Sequence, residues 1–190
     1  MKGYTNEQNI ENYLLQDIDS SFSTQLNTWI TAMEKYIDNL TGRNFVADAE
    51  GSETTKVYDG NNSAKMNIDD FLTITVLTID EAAVTVDDWY LYPNNETAKY
   101  QIILKSNYFT AGLQNISITG RFGYSAAVPE DVQFACTVLV AGILNYSNNS
   151  KGKVRSETIG SYSVSYATEK DWQDFKRAEG ILAAYKNYSF

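Results

Sequence analysis

The stretch F-L-T-I-T-V-L-T-I-D, residues 71–80, decides how this chain folds. It is rich in β-branched residues, and Leu72, Ile74 and Val76 alternate against Thr73 and Thr75. A period of two marks a strand with one buried face. Just before it, T-K-V-Y-D-G-N-N-S-A-K-M-N-I (residues 55–68) reads as two strands joined by an Asp-Gly-Asn-Asn-Ser turn. Beyond it, W-Y-L-Y-P-N-N (89–95), K-Y-Q-I-I-L-K (99–105) and Q-N-I-S-I-T-G-R-F-G-Y (114–124) continue the series. Five or six short strands at this spacing make a compact antiparallel lobe over residues 53–126.

Helical patterns flank that lobe on both sides. Thr5 with Gln8 three residues on is a capping box that opens a short helix burying Ile10, Tyr13 and Leu14. In the next segment Phe22, Leu26, Trp29, Ile30, Met33, Ile37 and Leu40 fall on steps of three and four, and Gly42 follows as a stop. Trp29 and Met33 read as core. After the lobe, Val128-Pro129-Glu130-Asp131 starts a helix: proline suits its first position and acids suit its dipole. The body of that helix, residues 132–146, is apolar nearly all round and should be the central buried helix. It gives way to the polar loop S-N-N-S-K-G-K-V-R, residues 147–155. Thr168 then caps a last helix striped by Trp172, Phe175, Ala178, Leu182 and Tyr185.

The expected architecture is α+β: a bundle of about four helices, residues 1–52 and 127–190, with the β-lobe of residues 53–126 inserted. One late strand has no obvious place in it. From Gly160, residues Gly160, Tyr162, Val164 and Tyr166 alternate against three serines, between two helices and without a hairpin neighbour in sequence. This lone strand, residues 159–166, is expected to join a sheet edge of its own lobe, of a neighbouring subunit or of another protein, the loop before it giving it reach.

Composition closes most routes to an enzyme. The 190 residues are 43% hydrophobic with 25 aromatics, enough for one good core and incompatible with a disordered chain. No apolar run is long enough to span a bilayer and the first residues lack a secretory h-region, so a cytosolic chain is expected. There is no histidine, which excludes a Ser-His-Asp triad, a Cys-His pair and any His-ligated metal. The single cysteine, Cys136, sits in an apolar run and reads as a buried thiol. Neither glycine-rich phosphate loop occurs. No catalytic, cofactor-binding or metal-binding residue is assigned.

The net charge is −9, with 4 basic and 10 acidic groups in residues 1–60, 4 and 7 in residues 61–128, and 7 and 7 in residues 129–190. Such a surface repels phosphate, which argues against gripping DNA but not against a surface past which DNA must slide. Only Lys151, Lys153 and Arg155 cluster, in the polar loop, where they stand as possible neighbours of a phosphate backbone.

Other groupings carry bland readings. Asp69-Asp70 and Asp87-Asp88 are adjacent, and adjacent strand residues point to opposite faces, so they read as solvated turn residues rather than a catalytic pair. Asp59, Asn61, Ser63 and Asp70 follow a calcium loop only superficially: Ala64 stands where glycine is needed, and a hairpin turn explains the run. Among Trp89, Tyr90, Tyr92, Tyr100, Tyr108 and Phe109, alternation puts Trp89 and Leu91 on one face and Tyr90 and Tyr92 on the other. Part is core, and the rest suits a protein interface.

Several segments taken together resemble the head-tail connector family of tailed bacteriophages, its longer members with an inserted β-lobe. They are Y-I-D-N-L-T-G-R-N-F (36–45), K-V-Y-D-G-N-N-S (56–63), D-D-W-Y-L-Y-P-N-N (87–95), V-P-E-D-V-Q-F-A-C (128–136) and E-T-I-G-S-Y-S-V-S-Y (157–166). The resemblance implies a structural virion protein at the head-tail interface, assembled in the host cytoplasm. It implies a homo-oligomeric ring, usually dodecameric, under the portal protein. That ring would extend the channel for double-stranded DNA and dock a stopper or tail protein. It implies no catalytic residue, cofactor or membrane partner. On this view Ile159, Gly160, Tyr162, Val164 and Tyr166 are the candidate residues for strand addition in the ring or on the portal. The alternatives are another, stopper-type completion protein or, from a different class, a carbohydrate-binding module using the Tyr- and Trp-rich β-lobe.

Overall fold

The computed structural model describes the backbone of residues 1–149, 156–159, 162–165 and 169–186. The chain divides into two compact units, Met1–Gly42 with Val128–Phe190, and Arg43–Ala127. The fold is α+β, and among the described residues it has four α-helices and a six-stranded antiparallel sheet.

The first unit is helical. Helix α1 (Glu7–Leu14) is capped by Asn6, whose side chain accepts from the Asn9 backbone N–H at 2.9 Å. The cap therefore lies one residue after Thr5, whose hydroxyl is instead buried against that of Thr137 at 2.7 Å. Ile10 is fully buried, while Tyr13 and Leu14 are half-buried. Helix α2 (Ser23–Thr41) buries Leu26, Ile30, Glu34, Ile37 and Thr41. Trp29, Met33 and Leu40 fall beside this line and are only half-buried, so the apolar stripe is broader than the surface that covers it. Gly42 ends α2 in the left-handed region at φ 68, its N–H donating to the Asp38 carbonyl at 2.8 Å.

Helix α3 (Glu130–Asn149) is the central helix, packed against α1, α2 and α4 (Glu169–Leu182). Its run from Ala135 to Gly142 is buried without a break. Gly142 lets the Phe175 ring of α4 come close, and Ala178 and Leu182 complete that seam. Helix α3 runs on through Asn149, so the first three residues of the expected loop are helical.

The second unit is the β-lobe. Its strands are β1 (Thr54–Gly60), β2 (Lys65–Ile79), β3 (Ala82–Ala83), β4 (Trp89–Tyr92), β5 (Lys99–Leu104) and β6 (Gly112–Phe122). The order across the sheet is β1-β6-β2-β5-β4, with β3 paired to the end of β2. The run expected to form a hairpin at Asp59–Ser63 does not: β6 lies between β1 and β2, and the connection crosses over it. Asn115 explains why. Its side-chain carbonyl accepts the Gly60 N–H at 2.9 Å, which ties the end of β1 to β6 rather than to β2.

Strand β2 organises the lobe by serving two partners. Residues 65–71 pair with β5 and residues 71–79 with β6. Register shifts between Phe71 and Thr73 and between Ile74 and Val76 each insert one residue, and each insertion flips the side-chain phase. The expected alternation of Leu72, Ile74 and Val76 is therefore broken: Phe71 and Leu77 are fully buried, while Val76 is exposed. The resulting core joins Met66, Ile68, Phe71, Leu77, Trp89, Ile102, Leu104, Phe109, Ile116, Ile118 and Phe122. At about 1.5–3 kcal/mol per buried large side chain, this cluster is the main stabilising element of the lobe.

The late strand is not alone. Strands β7 (Ser156–Ile159) and β8 (Tyr162–Ser165) pair antiparallel as a separate two-stranded sheet, Ile159 opposite Tyr162 and Glu157 opposite Val164. The partner was hidden in S-E-T-I, which reads as the tail of a polar loop. Only Gly160-Ser161 separates the two strands, and a Gly-X pair suits a two-residue hairpin.

Candidate interaction surfaces

Of the residues assigned to strand addition, Ile159, Tyr162 and Val164 lie in the β7–β8 ladder, at alternate positions from Thr158 and Ser163. Gly160 and Tyr166 fall outside the described residues, as do Lys151, Lys153 and Arg155. Within the described part of the β-lobe the edge strands are β1 and β4.

The aromatic group divides as alternation requires. Trp89 is 6% exposed and belongs to the core, with Phe109 buried beside it. Tyr90 and Tyr92 stand on the opposite face at 60% and 47% exposure. The Lys105 amine sits 4.6 Å from the Tyr90 ring centroid, and Tyr108 is also exposed. A stacking platform for sugars centred on Trp89 has no ring to offer.

Asp69 and Asp70 are not turn residues but neighbours within β2, pointing to opposite sides as strand geometry demands. Asp69 accepts from Lys56 and from the Tyr58 hydroxyl, both at 2.9 Å. Burial and the Asp69 charge push the Tyr58 phenol far above its ordinary value. Asp70 is 5% exposed and bonded to Arg43 Nη1 at 2.5 Å. Burial lifts its carboxyl above the ordinary range, against the opposing pull of Arg43. Asp87 and Asp88 are exposed beside Trp89, as read.

The side chains of the calcium-like run are committed to the backbone. Asp59 accepts the Gln114 N–H at 2.6 Å, and Asn61 accepts the Ser63 N–H at 3.0 Å. Among the described residues no group of three or more acidic or cysteine side chains is placed to hold a metal. Cys136 is fully buried on α3, and desolvation, aided by the charges of Glu34 and Asp38, raises its thiol well above the reactive range.

Two constellations escaped the sequence reading. The first is a seam in which residues 43–48 run alongside 121–125. Ala47 N–H donates to Ser125, Asp48 N–H to Phe122, Tyr124 N–H to Asn44 and Gly123 N–H to Asp70. Arg43 lies over the Tyr124 ring at 5.3 Å, and Tyr124 meets Phe45 edge-on at 5.6 Å. The T-G-R-N-F and R-F-G-Y segments, 80 residues apart in the chain, thus make one structure. Gly123 is required there: it has φ +133, and a Cβ would fall 2.4 Å from the Ala47 Cα.

The second is Glu34, 2% exposed in the middle of α2. Its carboxylate accepts the backbone N–H groups of Lys2, Gly3 and Tyr4 at 2.7, 2.8 and 3.1 Å. One turn on, Asp38 accepts from the Lys2 amine at 2.6 Å and the Tyr4 hydroxyl at 2.5 Å. Glu34 and Asp38 at an i, i+4 spacing are the only signal in the sequence, and any solvated helix face would give the same one.

These geometries tie chain segments together and present aromatic and strand surfaces; none places a nucleophile beside a base. The model of the head completion protein family matches residues 7–188, and the chain belongs to that family. It is a structural protein of the virion, at the head-tail interface. No curated protein matches the chain. Among solved structures, it is similar to a chain in the neck of an empty gene transfer agent particle computed with C6 symmetry. The TM-score is 0.61 and the identity 13%, over 100% of this chain and 93% of that one. It is also similar to a chain in the neck of a native particle computed with C12 symmetry. There the TM-score is 0.55 and the identity 14%, over 90% and 86% of the two chains.

Proposed function

We propose that this head completion protein acts as a ring-forming adaptor beneath the portal. As a closed ring it extends the DNA channel and docks the next stopper or tail protein. The supporting observation is that its fold is similar to chains in particle necks computed with C6 and C12 symmetry, across nearly its whole length. The acidic charge of −9 suits a conduit that lets DNA pass without gripping it. We assign Lys151, Lys153 and Arg155, from the sequence, as the groups that brush phosphates in passing.

Docking uses the β7–β8 hairpin. Its free edges offer backbone hydrogen bonds to a sheet edge of a neighbouring subunit or of the portal, and the positions of Ile159, Gly160, Tyr162, Val164 and Tyr166 supply specificity. Native mass spectrometry of the purified chain across a concentration series, alone and with its portal, tests the reading. A ring, alone or only on the portal, is expected. Val164→Pro removes one donor from β8 and should abolish docking while the monomer stays folded. A chain that remains monomeric with the portal at every concentration refutes the adaptor, and normal docking of Val164→Pro refutes the hairpin's part in it.

A further inference from the structure

Two surface features are unfavourable in the isolated chain and complement one another. The first is Leu15, which follows α1. It is 90% exposed and holds the left-handed conformation, φ 56 and ψ 36, at a C-cap where glycine or asparagine is the usual occupant. That backbone costs a leucine about 1 kcal/mol, on top of the exposed apolar surface. Along the chain its neighbours are acidic: residues 7–19 hold Glu7, Glu11, Asp17 and Asp19 and no base.

The second is the outward face of the sheet at β2, β5 and β4. The ladder sets Tyr90, Ile103 and Lys65 in one row across the three strands, and Tyr92, Gln101 and Asn67 in the next. Gln101 donates to Asn67 at 2.6 Å, which stiffens the second row, and Lys105 covers the edge of the first at Tyr90. None of these positions carries a carboxylate, in a chain with nine more acids than bases. The face is thus an aromatic and aliphatic seat with Lys65 and Lys105 at its border, and the exposed acids Asp69, which pairs with Lys56, and Asp88 lie outside the two rows.

We infer that the occupant of this seat is a second copy of the same chain: Leu15 of one copy packs on Tyr90 and Ile103 of the next, with Asp17 facing Lys105. The inference rests on the ring reading above and names its subunit contact. The surfaces differ, so the contact is heterologous. Each copy keeps a free knob and a free seat, and repetition either closes a ring or runs on as a filament. Opposite charge at the border sets the register, and salt weakens it.

The test is sedimentation equilibrium of the purified chain at low and high salt, with Leu15→Ser, Lys105→Glu, Asp17→Lys and the double charge reversal Asp17→Lys/Lys105→Glu. All three sites are exposed, so circular dichroism and melting temperature should match the parent chain. Each single variant should weaken self-association by at least about tenfold, and the double reversal should recover most of the loss. Association unchanged by the single variants, or a double reversal no better than either single, overturns the contact, as does a parent chain that never self-associates. If the variants still form rings on the portal, only this contact falls and the adaptor reading stands. If no ring forms there even from the parent chain, the adaptor reading falls with it.

Discussion

Replacing Arg43 with methionine should unfold the β-lobe at lower denaturant, by an amount that depends on pH. The Asp70 side chain is 3% exposed and Arg43's 16%, with 2.5 Å between them. Removing the guanidinium leaves the carboxylate buried without its cation, a loss of 3–5 kcal/mol in typical cases. Arg43 keeps some contact with water, so water can reach the vacated site, and we place the loss at about 3 kcal/mol. Loss of the Tyr124 stacking adds about 0.5–1 kcal/mol. The pH dependence follows from Asp70. Its folded pKa lies above the unfolded value, so its protonated form favours folding. That contribution is complete below the unfolded value of 3.8 and is lost as pH rises through the folded one. Without Arg43 the folded pKa rises further, so the Arg43→Met deficit should be largest at pH 7 and shrink towards pH 4. Guanidinium unfolding followed by the fluorescence of Trp89, in the core of the lobe, reads it in a background in which Trp29 and Trp172 are replaced by phenylalanine. Arg43→Met/Asp70→Leu, which removes both charges, should recover most of the loss at pH 7. A deficit below about 1 kcal/mol, a deficit independent of pH, or a double variant no better than the single refutes the buried pair as the organising contact of the seam.

The other constellations give sharper single measurements. Glu34→Ala removes the carboxylate that accepts the backbone N–H groups of residues 2–4 and should cost the helical unit about 2–4 kcal/mol, with hydrogen exchange at those amides rising first. Gly123→Ala forces a Cβ into the Ala47 backbone at a φ that L-residues avoid, and should lower lobe stability by more than about 2 kcal/mol in the same denaturation assay. Gly142→Ala goes the other way: its Cβ would sit 3.7 Å from the Phe175 ring, ordinary contact, so removing a mid-helix glycine should stabilise α3 by about 0.5–1 kcal/mol. Cys136 should react with a thiol reagent only as fast as the helical unit opens, and fast labelling of the native chain would contradict its burial.

Local periodicity carried the helices and most of the strands, because both depend on residues a few positions apart. The α2 stop at Gly42, the α3 start at Pro129 and the split of Trp89 from Tyr90 all belong to that class. Sheet order is a different kind of information. Nothing in D-G-N-N-S says that β6 will enter between β1 and β2, since the deciding contact comes from Asn115, 55 residues beyond Gly60. The two bulges of β2 were equally hidden: an unbroken run of β-branched residues looks the same whether or not the partner strand skips a residue. The late hairpin failed for a third reason, weak contrast, because S-E-T-I has too little apolar character to separate from the polar loop before it.

The buried acids show why the functional surfaces were harder still. Glu34 and Asp70 each find their partners far along the chain or from the backbone, so single-sequence reading sees charged residues and predicts solvent. Used internally, these carboxylates no longer count as free surface charge, and an acidic total overstates what a partner meets. The exposed remainder is uneven: acids around the α1 terminus, lysines and tyrosines on the outward sheet face. An even acidic coat would keep copies of the chain apart, whereas segregated charge repels copies in most orientations and rewards one. For a protein that must stay soluble until its place at the head-tail interface is ready, that separation is the property to expect. It is also the property that the Asp17 and Lys105 reversals measure.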